Sequence, residues 1–323
     1  MKISFCITYY NQEQYVKDSI KSILSLEIPI DFEVLIGDDG SSDGTLNKIE
    51  AFKPFFGNRM KIYVMPRDDS IKHDPIIRSS ANRLNLLKRA SGDFVMFLDG
   101  DDYYCCTKFL KQAIEILMTH SHFVAIGFSY KKVFSNREQF LKNKPQQSIV
   151  KIKDYIKRFY IPSGAFVFRN IFNKEKLETI ERDKIFDDNL ITIYILQFGK
   201  MYFCDRVIYA YRQTEKSSWN SYDELERNIF NALDYEFISR VAPSLKKSVL
   251  VRNFGSIKFI FKNRNATALL LKNKKYETIN NILPIVKNSK IYKIIYYKNL
   301  SLFDRVCMVI WFFSMSILKR FCG

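Results

Sequence analysis

Phe94–Tyr104 reads FVMFLDGDDYY, and the fold turns on how this stretch is read. Phe94–Leu98 is a short apolar run with the length and character of a buried strand. It stops abruptly at Asp99, Asp101 and Asp102, with Gly100 between the first two. A buried strand that runs into clustered acids carries them at its carboxyl end, the edge of an open α/β sheet where ligands bind. Carboxylates this close repel one another unless a cation or a hydrogen-bond network compensates. Oxygen-only ligands suit a hard cation, Mg²⁺ or Mn²⁺, which keeps waters and bridges to substrate phosphates. The plainer alternative is an acidic surface turn.

The neighbouring segments extend this pattern in both directions. Upstream, Arg78–Ala90 reads as a helix stopped by Ser91-Gly92-Asp93, and Lys61–Met65 as a strand. Phe32–Ile36 is a second buried strand, ending in Gly37-Asp38-Asp39-Gly40-Ser41-Ser42-Asp43-Gly44-Thr45, with a helix from about Thr45. Ile3–Tyr9 is the first strand, followed by Asn11 and a helix over Gln14–Leu26. Downstream, FLKQAIEILMTH is an amphipathic helix and Phe123–Tyr130 a strand. Lys131–Lys157 is a basic surface excursion, and Ile161–Arg169 returns to an apolar run. Asn170–Asp183 and Leu190–Phe198 read as helices, Met201–Tyr211 as a late strand and Arg212–Asn220 as a polar loop. Strands alternating with helices argue a mostly parallel sheet. From Tyr222 onward the pattern is helical, so the expected division is 1–220 and 221–323.

Composition narrows the class. The chain has 323 residues, 47% hydrophobic and 15% aromatic, enough for one large domain with an appendage or for two domains. Cys6, Cys105, Cys106, Cys204, Cys307 and Cys322 show no metal-ligand spacing, and the adjacent pair is awkward for a disulfide framework. With no leader pattern behind Met1, reduced thiols and a cytoplasmic location are the default expectation. His73, His120 and His122 are too few for a His-based zinc site. Residues 240–323 hold 17 Lys or Arg against two acids, +15 of the chain's +17. That asymmetry points to a polyanionic partner, nucleic acid or an anionic membrane surface.

Two parallel strands, ending near Ile36 and Leu98, should bring both acidic turns to one sheet edge. The first turn can accept hydrogen bonds from a base or ribose; the second can hold a metal bridging a diphosphate. Asp187-Asp188 begins a later helix, where it reads either as an N-cap or as a general base for an acceptor hydroxyl. No Walker motif and no GxGxxG occurs.

Thr8-Tyr9-Tyr10-Asn11, the Gly37–Thr45 turn and Phe97–Tyr104, in this order and spacing, resemble the signature of family 2 glycosyltransferases with the GT-A fold, over roughly residues 1–220. The resemblance implies a Rossmann-like central sheet flanked by helices, with a helical C-terminal extension. It implies inverting transfer of a sugar from a nucleotide diphosphate, UDP foremost, to a glycan hydroxyl. Thr8 and Tyr10 then match the uracil-binding start, Tyr10 either stacking on the base or packing in the core. Asp39 matches the acid at the uracil edge; Asp38 and Asp43 are structural or ribose-facing. Arg78 stands where some members carry a uracil- or phosphate-contacting Arg, with Arg83 its rival. Asp99, Gly100 and Asp101 form the DxD motif on the donor, with Asp101 the direct Mn²⁺ or Mg²⁺ ligand and Asp99 beside it. Asp188 matches the second acid of a Glu-Asp pair, the catalytic base, with Asp187 in place of Glu. Arg212 resembles the late Tyr-Arg segment that closes over the diphosphate, here without its usual His. Ser163 and Gly164 resemble an acceptor-side loop. Members of this size imply bacterial surface polysaccharides such as O-antigen, built on lipid-linked acceptors.

Three rivals explain less. A haloacid-dehalogenase-type phosphatase wants Thr or Val where Tyr103 stands. A sugar-nucleotide nucleotidyltransferase wants a glycine- and Arg/Lys-rich loop after the first strand, and TYYNQEQ is not one. A non-enzymatic polyanion-binding protein accounts for the basic tail but not for the acidic strand ends, so nucleic acid is not an expected partner. In that tail, Val306–Leu318 is an apolar run flanked by Arg305 and Lys319-Arg320. It is shorter than the about 20 residues a spanning helix needs. The expectation is a membrane-associating helix over 302–320, peripheral on the inner face of the cytoplasmic membrane, with a buried core helix as the alternative.

Overall fold

The computed structural model describes residues 1–263, apart from 69, 71, 72, 142–147, 159, 173, 184, 185 and 215–221. Its strands are β1 (Lys2–Tyr9), β2 (Asp31–Asp38), β3 (Met60–Val64), β4 (Phe94–Asp99), β5 (Tyr103–Tyr104), β6 (Phe123–Val133), β7 (Glu138–Phe140), β8 (Ile149–Val150), β9 (Phe166–Arg169) and β10 (Lys200–Arg212). Its helices are α1 (Val16–Leu24), α2 (Thr45–Glu50), α3 (Lys53–Phe56), α4 (Pro75–Leu87), α5 (Leu110–Thr119), α6 (Ile152–Arg158), α7 (Lys174–Asp183), α8 (Asp188–Leu196), α9 (Glu224–Val241) and α10 (Lys246–Lys262). The chain divides into two compact units, 1–214 and 215–323.

In the first unit the described strands form one sheet in the order β3-β2-β1-β4-β9-β6-β10-β5, with β7 on β6 and β8 on β10. The β3-β2-β1-β4 run is parallel throughout, as is β6 with β10. Antiparallel β9 joins the two blocks, so the sheet is mixed at its middle and at the β5 edge. Ile3–Ile7, Val34–Ile36 and Phe94–Leu98 are buried with almost no alternation. That is the mark of strands covered on both faces. Phe97 stacks on Phe168 at 5.9 Å and meets Phe186 edge-on at 6.5 Å, which locks β4 to β9 and to the chain entering α8.

From β1 the chain goes out to β2 and β3, then returns to β4 on the other side of β1. This reversal is a topological switch point, and the crevice it leaves lies at the carboxyl ends of β1 and β4. In register, Thr8 pairs with Asp99 and Tyr9 with Asp38, so both acidic turns reach one edge, as the strand pattern predicts.

α4 starts three residues before the expected Arg78. Asp74 accepts from the Ile76 N–H at 2.9 Å and the Ile77 N–H at 3.3 Å, and Pro75 holds the first helical position. Both are N-terminal signals. The basic excursion after Tyr130 is more ordered than its composition indicates: β6 continues to Val133, β7 folds back on it, and β8 and α6 follow. In the second unit, α9 opens with a capping box between Asp223 and Glu226, and α10 follows it. The expected helix over 302–320, with Cys307 and Cys322, lies outside the described residues. Among those described, no helix is long and apolar enough to cross a membrane, and Cys6, Cys105, Cys106 and Cys204 are free.

Candidate functional site

The turns after β1 and β2 staple each other. Asn11 has a positive φ of 49°, a left-handed conformation that asparagine tolerates. The Asn11 N–H donates to Ser41 Oγ at 2.9 Å, and Asn11 Oδ1 accepts from the Ser42 N–H at 2.8 Å. The Gln12 N–H donates to Thr45 Oγ1 at 2.8 Å. Asp38 is buried and accepts from the Ser41 N–H at 2.8 Å and from the Ser41 hydroxyl. Asp43 accepts from the Thr45 N–H at 2.9 Å and from the Thr45 hydroxyl. Both acids hold the loop's shape.

Asp39, by contrast, faces two cations. Arg67 Nη1 lies 2.7 Å from its Oδ2, and Arg78 Nη2 pairs with its Oδ1. The Arg67 guanidinium also covers the Tyr10 ring, 3.8 Å from the centroid, a cation–π contact. Tyr10 is 40% exposed, so it is not a core residue, and one ring face is taken by Arg67. Thr8 donates to Asp99 Oδ1 at 3.1 Å. Tyr10, Asp39 and Arg78 therefore meet in one place; Thr8 meets Asp99 instead. Sequence reasoning missed Arg67, although it stands just beyond β3, on the edge where β2 and β4 place their acids.

The three acids after β4 separate in role. Asp102 is fully buried; the Tyr209 hydroxyl donates to its Oδ2 and the Arg212 N–H to its Oδ1 at 2.7 Å. Burial, then the charges of Asp101 and Asp99, push its carboxyl well above the usual range. It ties the turn after β4 to β10. Gly100 leaves room for Tyr9: a Cβ there would stand 2.1 Å from the ring. Gly164 does the same for the Tyr209 ring, at 2.2 Å. Ser163, Gly164 and Ala165 form a buried turn beside that tyrosine. Arg212 Nη1 donates to the Asp101 carbonyl at 3.0 Å, its Nη2 reaches Asp18, and its guanidinium lies 4.7 Å from the Tyr103 ring centroid.

Asp101 is only partly compensated. Burial first, and the Asp99 charge second, push its carboxyl up to about 6, against the opposing pull of Arg212 and a Gln12 hydrogen bond. Gln12 Oε1 is buried beside this turn and accepts no hydrogen bond from the described residues. Two carboxylates with an orphaned amide oxygen form a donor set that fits a hard divalent cation. Among the described residues no three His, Cys, Asp or Glu side chains enclose an ion.

Arg83 holds the centre. It is 8% exposed, and its Nη2 donates to both oxygens of Asp99 at 2.9 Å and stands 3.5 Å from Asp188 Oδ1. Burial opposes its charge, but Asp99 and Asp188 outweigh that and raise its pKa further. Asp187 caps α8, accepting from the Leu190 N–H at 2.9 Å, and so leaves Asp188 as the first helical residue. The Tyr160 hydroxyl donates to Asp188 Oδ2, whereas Asp188 Oδ1 accepts no hydrogen bond from the described residues. Tyr130 and Tyr211 face the same carboxylate. The Tyr130 phenol is pushed up to about 12 by burial and by Asp188, and the Tyr211 phenol is raised by the same causes in the same order. Tyr160 lies in the weakly patterned stretch before β9 and had no sequence signal.

The family described as "Glycosyl transferase family 2" matches residues 4–175. The chain is 30% identical over 126 residues to "Putative glycosyltransferase EpsE" of Bacillus subtilis, covering 39% of this chain and 42% of that protein. It therefore spans less than half of that relative's length. It is 26% identical to "GalNAc(5)-diNAcBac-PP-undecaprenol beta-1,3-glucosyltransferase" of Campylobacter jejuni, over 91% of this chain and 96% of the relative. Among solved structures, S. aureus TarS 1–349 in complex with UDP-GlcNAc matches 91% of this chain and 82% of that one, with a TM-score of 0.58 at 20% identity. The same protein in complex with UDP gives 0.60 at 18% identity, over 100% of this chain and 92% of that one. That likeness is one of fold.

Proposed function

The chain belongs to glycosyl transferase family 2, and from that premise we propose that it is a metal-dependent, inverting transferase using a UDP-sugar. The acceptor in this reading is a hydroxyl of a lipid-linked saccharide in the assembly of a bacterial surface polysaccharide. The observation that carries the catalytic part is the bridge at Arg83. The nitrogen that holds Asp99 at 2.9 Å also lies 3.5 Å from Asp188 Oδ1. A donor-side acid and a candidate base thus face each other across one guanidinium.

In this reading the uracil edge meets Asp39, with Arg78 and Arg67 fixing the carboxylate and Tyr10 beside it. Asp99 and Asp101 would hold Mg²⁺ or Mn²⁺, which supplies charge compensation for the leaving diphosphate when bound. Asp188 accepts the proton of the attacking hydroxyl at Oδ1 as the new bond to the anomeric carbon forms and the bond to the diphosphate oxygen breaks. Tyr160 fixes the other carboxylate oxygen. A single displacement needs no protein nucleophile, which accords with one base and inversion. The saccharide acceptor is supported by the Campylobacter relative, whose name specifies an undecaprenol-linked substrate. The basic segment 240–323 supports attachment to an anionic membrane face.

Calorimetric titration with UDP, with and without Mn²⁺, tests the donor site. Binding should tighten with the metal in the native protein and lose that dependence in Asp101→Ala. Absence of UDP binding, or indifference to both metal and substitution, refutes the metal–diphosphate reading.

A further inference from the structure

Resting on that reading, we propose that Arg83 is a positioning residue for the base: one guanidinium nitrogen fixes Asp188 against the donor-side acid Asp99. The role belongs to this arginine and not to Arg78, its rival in the sequence, because Arg78 turns away to Asp39 and to the Pro66 carbonyl.

The geometry is specific. Arg83 lies on the buried face of α4 with Asn82, Leu84, Leu86 and Leu87. Asn82 Nδ2 donates to the Gly37 carbonyl at 2.9 Å, tying that part of the helix to β2. The guanidinium is therefore presented from a rigid element. Its Nη2 is shared between two Asp99 oxygens and one Asp188 oxygen, while Nε has no partner among the described residues. The contact to Asp188 at 3.5 Å is an ion pair without hydrogen-bond geometry, so Oδ1 keeps its lone pairs for the incoming hydroxyl. A direct hydrogen bond would occupy the oxygen that has to take the proton. With Tyr160 on Oδ2 and Arg83 beside Oδ1, the carboxylate is held at both oxygens while Oδ1 still accepts no hydrogen bond from the described residues. Lysine keeps the charge but differs in shape and in where its nitrogen sits, so it should reproduce this only in part.

The test separates positioning from folding and from donor binding. In Arg83→Gln, kcat should fall about 100-fold, the order expected for displacement of a reacting group by about 1 Å. UDP affinity with Mn²⁺ and donor KM are measured alongside, because Arg83 also holds Asp99, and the positioning role is read from kcat at saturating donor. Arg83→Lys should recover part of kcat, not all. In an Asp188→Asn background, adding Arg83→Gln should lower kcat by no more than about threefold, since the group being positioned is gone. Equal losses in both backgrounds, a loss that falls on UDP affinity in place of kcat, or full recovery by lysine overturns the proposal. If Arg83→Gln does not fold, the lysine variant in both backgrounds decides by the same comparison. Full activity of Asp188→Asn alone would refute the base assignment and this inference with it. A normal Asp188→Asn defect with no Arg83 effect would overturn this inference only.

Discussion

Replacing Asp188 with asparagine separates chemistry from binding, and the site fixes how large the effect should be. The substitution keeps the side chain's shape and an acceptor for the Tyr160 hydroxyl, which now bonds Asp188 Oδ2. It leaves the Asp187 cap on α8 intact. What disappears is the oxygen that carries negative charge and no hydrogen bond, Oδ1. An amide cannot take the acceptor's proton. General base catalysis contributes about 10²–10⁴-fold, or about 2.7–5.4 kcal/mol of barrier at about 1.36 kcal/mol per factor of ten. Arg67 and Arg78 pair with Asp39, and Asp188 is not among the acids proposed to hold the donor, so UDP affinity should change by less than about threefold. Steady-state UDP release with a saccharide acceptor gives kcat, and calorimetry gives the affinity. A kcat within about threefold of the native value refutes the assignment. Asp187 would be a poor replacement, because its carboxylate already caps Leu190.

Two further outcomes are expected. Glu33 is buried, which favours its neutral form, yet hydrogen bonds from the Ser91 N–H, Ser4, Lys2 and the Ser91 hydroxyl outweigh this and hold its carboxyl below the usual value. A folded-state pKa below the unfolded one gives stability that is present above the unfolded pKa and lost as pH falls through the folded one. Urea unfolding of Glu33→Gln should therefore show a shallower loss of stability on acidification than the native chain, and identical slopes would refute the network's role. For the tail, the full chain should sediment with anionic liposomes at low salt, and deletion of 302–323 should abolish this while UDP binding survives. A full-length chain that ignores such liposomes refutes the peripheral attachment.

The elements legible in the sequence were those whose physics is local. Apolar runs such as Phe32–Ile36 and Phe94–Leu98 announce buried strands, and the acids that end them announce the ligand edge. The Asp74-Pro75 start of α4 was legible too, yet the expected helix began at Arg78, because the apolar spacing is clearer than the cap. Antiparallel β9 was not legible, since a four-residue strand, FVFR, carries no sign of direction. The partners of the site were harder. Arg67 reaches Asp39 across 28 residues, Arg83 reaches Asp188 across 105, and Tyr160 lies 28 before it. Nothing in local periodicity records such pairings.

The DxD turn shows why counter-charges matter more than the acids themselves. Read as a string, Asp99, Asp101 and Asp102 are three equivalent carboxylates that should repel. In the fold each meets that repulsion differently. Asp99 takes the buried guanidinium of Arg83. Asp102 is buried, takes two hydrogen bonds, and is pushed toward its neutral form. Asp101 has neither a full ion pair nor a closed hydrogen-bond cage, and burial together with Asp99 lifts it to about 6. An added cation at Asp101 would relieve both its burial and the Asp99 repulsion. Gln12 Oε1, orphaned alongside, gains a partner by the same event. Asp102, whose carboxyl is raised further, is closed off by the Tyr209 hydroxyl and the Arg212 N–H, which leaves Asp101 as the metal-facing side chain of the proposed site, as the DxD resemblance implies.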